Sequence, residues 1–282
     1  MEPFFPPVHW DGHADTTHSR RDCHMDRRTA ILTATATLLA GAKVRAQGDP
    51  KRAGTVKSNV EYASVGGKSL RLDVHLPTGK GPFPAIVLVH GGGFTGGAKG
   101  GYTGELARHL ARNGFVAFDI DYRLMRDLGP GASLPKAIAA AQEDLARAFD
   151  FVISESKTFG IDPDRVAVGG GSAGAITSLL ATYGPDRMKR RPKAVVGLWG
   201  GMYGQESAIQ RGDPPMLLVH GTADKTVAFA LSEAIVAAAR KVGVEAVLMR
   251  VENGGHTLPL NQRYQGRTIA ESVTDFLKQQ LK

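Results

Sequence analysis

The chain has 282 residues, 42% of them hydrophobic, which is enough to bury one large core in a single domain. It has a single cysteine and no CxxC or HExxH spacing, so its composition excludes a disulfide scaffold and predicts neither a metal ion nor another cofactor. The formal net charge is +8, but the one dense basic cluster, at 187–193, has no interleaved aromatic residues, which favours a solvent-exposed loop over a nucleic-acid surface.

Residues 1–46 have the pattern of an export signal. The basic pair Arg27-Arg28 precedes an uncharged stretch over 29–42, and residues 44–46, VRA, form a small-x-Ala cleavage pattern. The sequence DRRTAIL resembles a twin-arginine motif, which is typical of proteins exported in the folded state. A short amphipathic surface helix or a membrane anchor is the alternative, although the apolar run is too short to span a bilayer well.

The export signal predicts an exported protein, periplasmic or secreted, whose mature domain comprises residues 47–282. After cleavage we expect no stable membrane anchor, and the only cysteine, Cys23, leaves with the signal. Met1 and Met25 both fit as the first residue of the translated chain.

The remainder of the chain predicts one α/β domain. VEYASV and SLRLDVHL, separated by Gly66-Gly67, predict an antiparallel hairpin. Short apolar runs of the kind found in strands buried on both faces follow at 85–89, 115–120, 165–168, 194–198, 216–219 and 246–251. Helical periodicity separates the runs, for example at Leu231, Ala234, Ile235, Ala238 and Val242, and at Ile269, Val273, Phe276 and Leu277. This alternation predicts a mostly parallel, doubly wound sheet with little chain left for a cap.

Polar motifs follow four of the apolar runs directly. They are HGGGF at 90–94, GGGSAG at 169–174, HGTAD at 220–224 and ENGGH at 252–256. Loops at the carboxyl ends of parallel strands converge on one crevice, so we expect a serine, an aspartate and a histidine to meet there. The glycines two before and two after the serine indicate a sharp strand-to-helix turn in which a Cβ would strike its neighbours.

These motifs, with DYRL at 121–124, resemble those of serine esterases of the α/β-hydrolase superfamily. The resemblance covers residues from about 58 to 281 and is closest in style to small bacterial carboxylesterases near the feruloyl and acetyl-xylan esterases. There is kinship to hormone-sensitive-lipase-like and prolyl-oligopeptidase-like enzymes. Gly171 departs from the first of these groups, which usually carries an acidic residue before the nucleophile, and the missing cap implies an open site.

The resemblance implies a catalytic triad. Ser172 is then the nucleophile, His256 the base and later the acid, and Asp224 the group that orients the imidazole. The alternatives are a helix N-cap serine and a solvated loop histidine, with Asp213 and Glu252 as competing acids.

The other predicted site residues surround this triad. Backbone N–H groups of Gly92, Gly93 and Ala173 are expected to form the oxyanion hole. We read His75 and His109 as structural, and His90 and His220 as organisers of their loops. Four residues could line a substrate pocket or belong to the core: Phe94, Trp199, Met202 and Tyr203.

The predicted function is hydrolysis of carboxylic esters through an acyl-enzyme, without cofactor or metal. The expected substrates are small-molecule or polysaccharide-linked esters with short or aromatic acyl groups. A prolyl-oligopeptidase-like peptidase and a non-catalytic binding protein of the same fold are the alternatives. The sequence leaves the natural ester and the oligomeric state open.

Overall fold

The computed structural model describes residues 54–282, which are built around an eight-stranded sheet. Its strands are β1 (Val56–Val65), β2 (Lys68–His75), β3 (Phe83–Val89), β4 (Val116–Ile120), β5 (Ile161–Gly171), β6 (Val195–Leu198), β7 (Met216–Gly221) and β8 (Ala246–Val251). The spatial order is β1-β2-β4-β3-β5-β6-β7-β8. Strand β2 pairs antiparallel with β1 and β4, and the remaining pairs are parallel. The predicted mostly parallel sheet with an N-terminal hairpin is therefore confirmed.

Six helices connect and flank these strands in the described residues. They are α1 (Tyr102–Arg112), α2 (Leu134–Ser154), α3 (Ser156–Phe159), α4 (Ala173–Tyr183), α5 (Ala230–Val242) and α6 (Ile269–Gln280). A two-stranded ribbon, β9 (Arg263–Tyr264) with β10 (Arg267–Thr268), precedes α6. None of the helices among residues 54–282 combines the length and apolarity that crossing a bilayer would require.

Buried side chains alternate between the two faces of the sheet, as the period of two in a strand requires. In β3, Ala85, Val87 and Val89 pack in a cluster with α2, α4 and α5, whereas Ile86 and Leu88 pack in a second cluster with α1 and α6. Both faces are thus covered by helices, which makes the sheet doubly wound. The near-continuous apolar runs in the sequence reflect this burial on both sides.

The structure extends one predicted strand through three glycines. The apolar pattern predicts a strand over 165–168, but β5 runs from Ile161 to Gly171 because Gly169 and Gly170 pair with β6 and β3. Glycine is unfavourable inside strands, so the sequence pattern did not predict a strand over these residues. Here glycine permits close packing beside the backbone of the neighbouring strands.

The edge of the sheet at the carboxyl ends of the parallel strands carries no helical cap in the described residues. The connections on that side contain only two short 3₁₀ turns, Met125–Asp127 and Glu206–Ala208, and the β9–β10 ribbon. The predicted export signal at 1–46 lies outside the described residues, so export and cleavage after Ala46 remain predictions from the sequence.

Candidate active site

Ser172 occupies a strained turn between β5 and α4. Its φ of 54° and ψ of −119° lie outside the regions that most residues adopt. A Cβ on Gly170 would lie 2.3 Å from the carbonyl oxygen of Val89, and a Cβ on Gly174 would lie 1.9 Å from the same atom. These two positions therefore require glycine, which explains why the only hydroxyl of the turn sits among residues with almost no side chain.

Replacement of Gly174 by alanine is expected to destabilise the fold despite the higher helix propensity of alanine. The new methyl would overlap the backbone of Val89, which cannot move without disturbing β3, so we expect a loss of about 3 kcal/mol of unfolding free energy. Gly171→Ala is the control, because its Cβ would lie 3.3 Å from the Trp199 indole, and should cost about 1 kcal/mol. Urea unfolding midpoints measure both; equal midpoints would contradict the packing argument.

The three residues of the predicted triad form one chain of hydrogen bonds. His256 Nε2 lies 2.9 Å from Ser172 Oγ, and His256 Nδ1 lies 2.7 Å from Asp224 Oδ2. Ser172 precedes α4 in the N-cap position but its side chain makes no cap hydrogen bond, so its oxygen serves the histidine instead. The arrangement permits His256 to take a proton from the serine while the carboxylate faces the other ring nitrogen.

The Asp224 carboxylate is held in its charged form. Burial alone would raise its pKa, but hydrogen bonds from His256 and from the backbone N–H groups of Val227 and Thr226 outweigh burial and keep the pKa below its usual value. A charged carboxylate beside Nδ1 is suited to stabilise a positive imidazolium.

The two competing acids are engaged elsewhere. Asp213 precedes β7 and pairs with Arg187 at 3.1 Å and Arg191 at 2.7 Å. Glu252 is exposed and pairs with Arg250 at 2.5 Å. Neither carboxylate is within hydrogen-bond distance of His256 in the described contacts.

The glycines after β3 lie against the nucleophile. A Cβ on Gly91 would lie 3.3 Å from Ser172 Cβ, and Gly92 has a φ of 120° that only glycine adopts readily. Gly92 and Gly93 line the cavity beside Ser172, and Ala173, the first residue of α4, follows Ser172 directly. Helix-initial N–H groups have no partner within their own helix, which leaves that of Ala173 available to a substrate oxygen.

His90 fixes the conformation of this glycine loop. Its Nδ1–H donates to the carbonyl oxygen of Gly91 at 2.6 Å, and its ring stacks on Tyr122 with centroids 4.4 Å apart. The Tyr122 hydroxyl donates in turn to the carbonyl oxygen of His90 at 3.2 Å. Because C=O and N–H point in opposite directions across a trans peptide, holding the Gly91 carbonyl also orients the N–H of Gly92.

Acidic side chains hold the next stretch of the same loop. Asp119 accepts from the N–H of Gly100 at 2.6 Å, and Asp121 accepts from the N–H of Lys99 at 2.9 Å. Asp119 is fully buried, and burial raises its pKa to about 6. The sequence gives no signal for this support, because both aspartates lie in or beside an apolar strand run.

A cavity of about 520 Å³ opens beside Ser172 and His256. Of the four residues predicted for pocket or core, Trp199 lines the cavity, its indole edge-on to Tyr102 at 5.0 Å between centroids. Phe94 and Met202 are buried in the core, and Tyr203 is partly buried against it. Trp199 thus belongs both to the core and to the cavity wall, whereas the other three pack in or against the core.

Sequence reasoning missed several residues that line the cavity. Thr226 and Thr257 lie two residues after Asp224 and directly after His256, so their place next to the triad residues could have indicated them. Tyr102 begins α1 after a glycine-rich loop, and no motif marks it. Within residues 54–282 no three histidine, cysteine or acidic side chains cluster as metal ligands would.

Two protein-family models and several known proteins are similar to this chain. The BD-FAE family model matches residues 72–195, which include Ser172, and the prolyl oligopeptidase family model matches residues 203–282, which include Asp224 and His256. Esterase LipQ of Mycobacterium tuberculosis is 24% identical over 277 residues, covering 82% of this chain and 64% of that relative. This chain therefore spans less than two thirds of the length of that curated relative.

Solved structures of two esterases are similar to this chain. Thermogutta terrifontis esterase 2 phosphoramylated by tabun gives a TM-score of 0.67 at 23% identity, covering 80% of this chain and 94% of that one. A truncated carbohydrate esterase from gut microbiota gives 0.66 at 22% identity, covering 83% and 99%. The chain has the α/β-hydrolase fold, and the resemblance to α/β-hydrolase serine esterases is confirmed.

Proposed function

We propose that the protein is a carboxylic ester hydrolase that works through an acyl-enzyme on Ser172. The observation that carries the proposal is the continuous hydrogen-bonded chain from Ser172 Oγ through His256 to Asp224, at 2.9 and 2.7 Å, beside a cavity that Gly92 and Gly93 help to line. Relatives named as esterases support the same reaction class.

The proposed reaction has two stages, acylation of Ser172 and hydrolysis of the acyl-enzyme. Ser172 Oγ attacks the ester carbonyl while His256 Nε2 takes its proton, and the negative oxygen that develops is stabilised by N–H groups of Gly92, Gly93 and Ala173. The imidazolium then protonates the departing alcohol, which leaves Ser172 acylated. A water molecule, deprotonated by the same imidazole, cleaves the acyl-enzyme and releases the carboxylic acid.

Hydrolysis of p-nitrophenyl acetate by the full chain, together with labelling by a fluorophosphonate, tests the proposal. An activated serine reacts rapidly and in a one-to-one ratio with the fluorophosphonate, and intact mass measures the adduct. Turnover of the ester with stoichiometric labelling supports a serine esterase. Absence of both would instead favour a non-catalytic binding protein of this fold.

The substrate is proposed to carry a short or aromatic acyl group, on a small molecule or on a polysaccharide. The cavity wall formed by Trp199 and Tyr102 is aromatic, and no helical cap covers the sheet edge among residues 54–282. The carbohydrate esterase among the structural neighbours is compatible with a polysaccharide-linked ester.

We expect kcat/KM for p-nitrophenyl esters to fall by about tenfold or more between butyrate and laurate, since no cap in residues 54–282 encloses an acyl chain that extends beyond the cavity. We also expect no jump in rate when a substrate passes its critical micelle concentration, because residues 54–282 form no lid that would have to open. Initial rates across an acyl series, above and below micelle formation, check both. A sharp rise in rate at micelle formation would refute the open-site interpretation.

A peptidase of the prolyl oligopeptidase type is the second candidate, since that family model matches the segment containing Asp224 and His256. The residues that line the described cavity include no carboxylate to bind the amino group of a peptide. Aminoacyl p-nitroanilides distinguish the two functions. Turnover of the anilides without turnover of esters would transfer the proposal to the peptidase.

A further inference from the structure

The catalytic acid has a second histidine partner that the proposed mechanism does not use. Asp224 Oδ2 lies 2.7 Å from His256 Nδ1 and 3.1 Å from His220 Nε2. Its other oxygen accepts from the backbone N–H groups of Thr226 at 2.8 Å and Val227 at 3.0 Å. Both oxygens are thus fully engaged, and the His220 and Asp224 side chains have no solvent exposure.

The surroundings of His220 assign its tautomer. Nε2 faces two acceptors, Asp224 Oδ2 and the carbonyl oxygen of Val227 at 2.9 Å, so Nε2 must carry the proton. Nδ1 lies 2.7 Å from the hydroxyl of Ser232, a buried residue of α5, and accepts a hydrogen bond from that hydroxyl. The ring therefore links the segment that contains Asp224 and Val227 to α5: Nε2–H donates to that segment and Nδ1 accepts from Ser232.

A neutral ring at this position suits the chemistry. Burial lowers the pKa of His220, and the lone pair that a second proton would need is already occupied by Ser232. A charged His220 would neutralise Asp224 and remove the stabilisation that the carboxylate gives to the His256 imidazolium. A neutral donor fixes the carboxylate without cancelling its charge.

We propose that His220 is a positioning residue of the triad, which holds Oδ2 of Asp224 in line with His256 Nδ1 and is itself oriented by Ser232. The inference rests on the proposed esterase function. His220 touches neither substrate nor Ser172, so it acts only through Asp224. Its effect is therefore confined to the rate of the proton-transfer steps, with substrate binding left intact.

The test compares His220→Leu with His220→Gln in the full chain. Leucine removes the donor, whereas the glutamine amide can place an N–H near the position of Nε2. Fluorophosphonate titration counts active sites, and kcat is expressed per titrated site. Misfolded molecules are therefore not counted and do not lower the measured kcat. We expect leucine to lower kcat per site by about 10- to 100-fold, the range typical for partners that orient active-site groups, with KM within about threefold. Glutamine should recover kcat to within about fivefold of the unmodified protein.

His109→Leu is the matched control. His109 is also a partly buried histidine with a hydroxyl partner, Thr274 Oγ1 at 3.1 Å, but it lies between α1 and α6 and away from the cavity. Its replacement should lower stability and leave kcat per site unchanged. If His220→Leu does not fold, Ser232→Ala decides, with an expected loss of about fivefold from one missing hydrogen bond.

Three outcomes would overturn the inference. They are a kcat per site within about twofold of the unmodified protein in His220→Leu, glutamine no better than leucine, or, where leucine does not fold, an unchanged rate in Ser232→Ala. Each presupposes that the unmodified protein hydrolyses p-nitrophenyl acetate and takes up the fluorophosphonate. If the unmodified protein does neither, the proposed function itself fails, which separates the two results.

Discussion

Ser172→Ala should lower kcat for p-nitrophenyl acetate by about 10⁶-fold, the size of loss seen when a serine protease loses its nucleophile. Without Oγ no acyl-enzyme forms, and His256 Nε2 has no proton to take from the chain. Stability should change little, because the Ser172 side chain bonds only to His256 and alanine accepts the same backbone conformation at a similar cost.

Ser178→Ala is the matched control for this result. Ser178 lies on α4, the helix that follows Ser172, is fully buried, and donates to the carbonyl oxygen of Gly174 at 2.9 Å. This variant should keep its activity and its fluorophosphonate adduct, while Ser172→Ala loses both. More than about 1% residual activity in Ser172→Ala would mean that another group is the nucleophile.

Much of the fold could be predicted from local sequence patterns. The hairpin follows from alternating strands on either side of Gly66-Gly67, and the parallel sheet follows from apolar runs separated by helical periodicity. Each of these signals is carried by neighbouring residues. Once the sheet is parallel, the chain order of the motifs also predicts that Ser172, Asp224 and His256 meet at one edge.

Features that depend on packing between distant segments escaped prediction. Met202 and Trp199 are three residues apart and both are buried, yet they pack in different core clusters and only Trp199 also borders the cavity. Asp119 in β4 holds the glycine loop by accepting from the N–H of Gly100, 19 residues earlier in the chain. The spacing of residues in the sequence predicts neither the position of Trp199 nor the hydrogen bond of Asp119.

Asp213 and Glu252, the two alternatives to Asp224 as the catalytic acid, differ in how far the sequence could exclude them. Asp213 could be set aside from sequence because it precedes β7 and belongs at the opposite edge. Glu252 could not be excluded in this way, since it lies on the active edge only four residues from His256. What sets Glu252 aside is the contact between Asp224 and His256, 32 residues apart, which no sequence pattern contains.

Asp224→Asn should lower kcat by about 10⁴-fold at neutral pH, as expected when the catalytic histidine is held in the wrong tautomer. The asparagine oxygen is expected to stay with the backbone N–H groups of Thr226 and Val227, which places its amide group toward His256 Nδ1. The amide then donates to Nδ1, so the proton of the neutral ring moves to Nε2. That nitrogen can no longer accept the proton of Ser172.

In Asp224→Asn the new amide group would also face a second donor, the Nε2–H of His220. His220 Nε2–H is directed at the Val227 carbonyl and cannot reverse its proton without losing that bond, so the amide and the ring would face each other as two donors. Glu252→Gln is the control and should retain full activity. Loss of activity in Glu252→Gln with an active Asp224→Asn would reassign the catalytic acid, and kcat measured for the two variants under identical conditions decides between them.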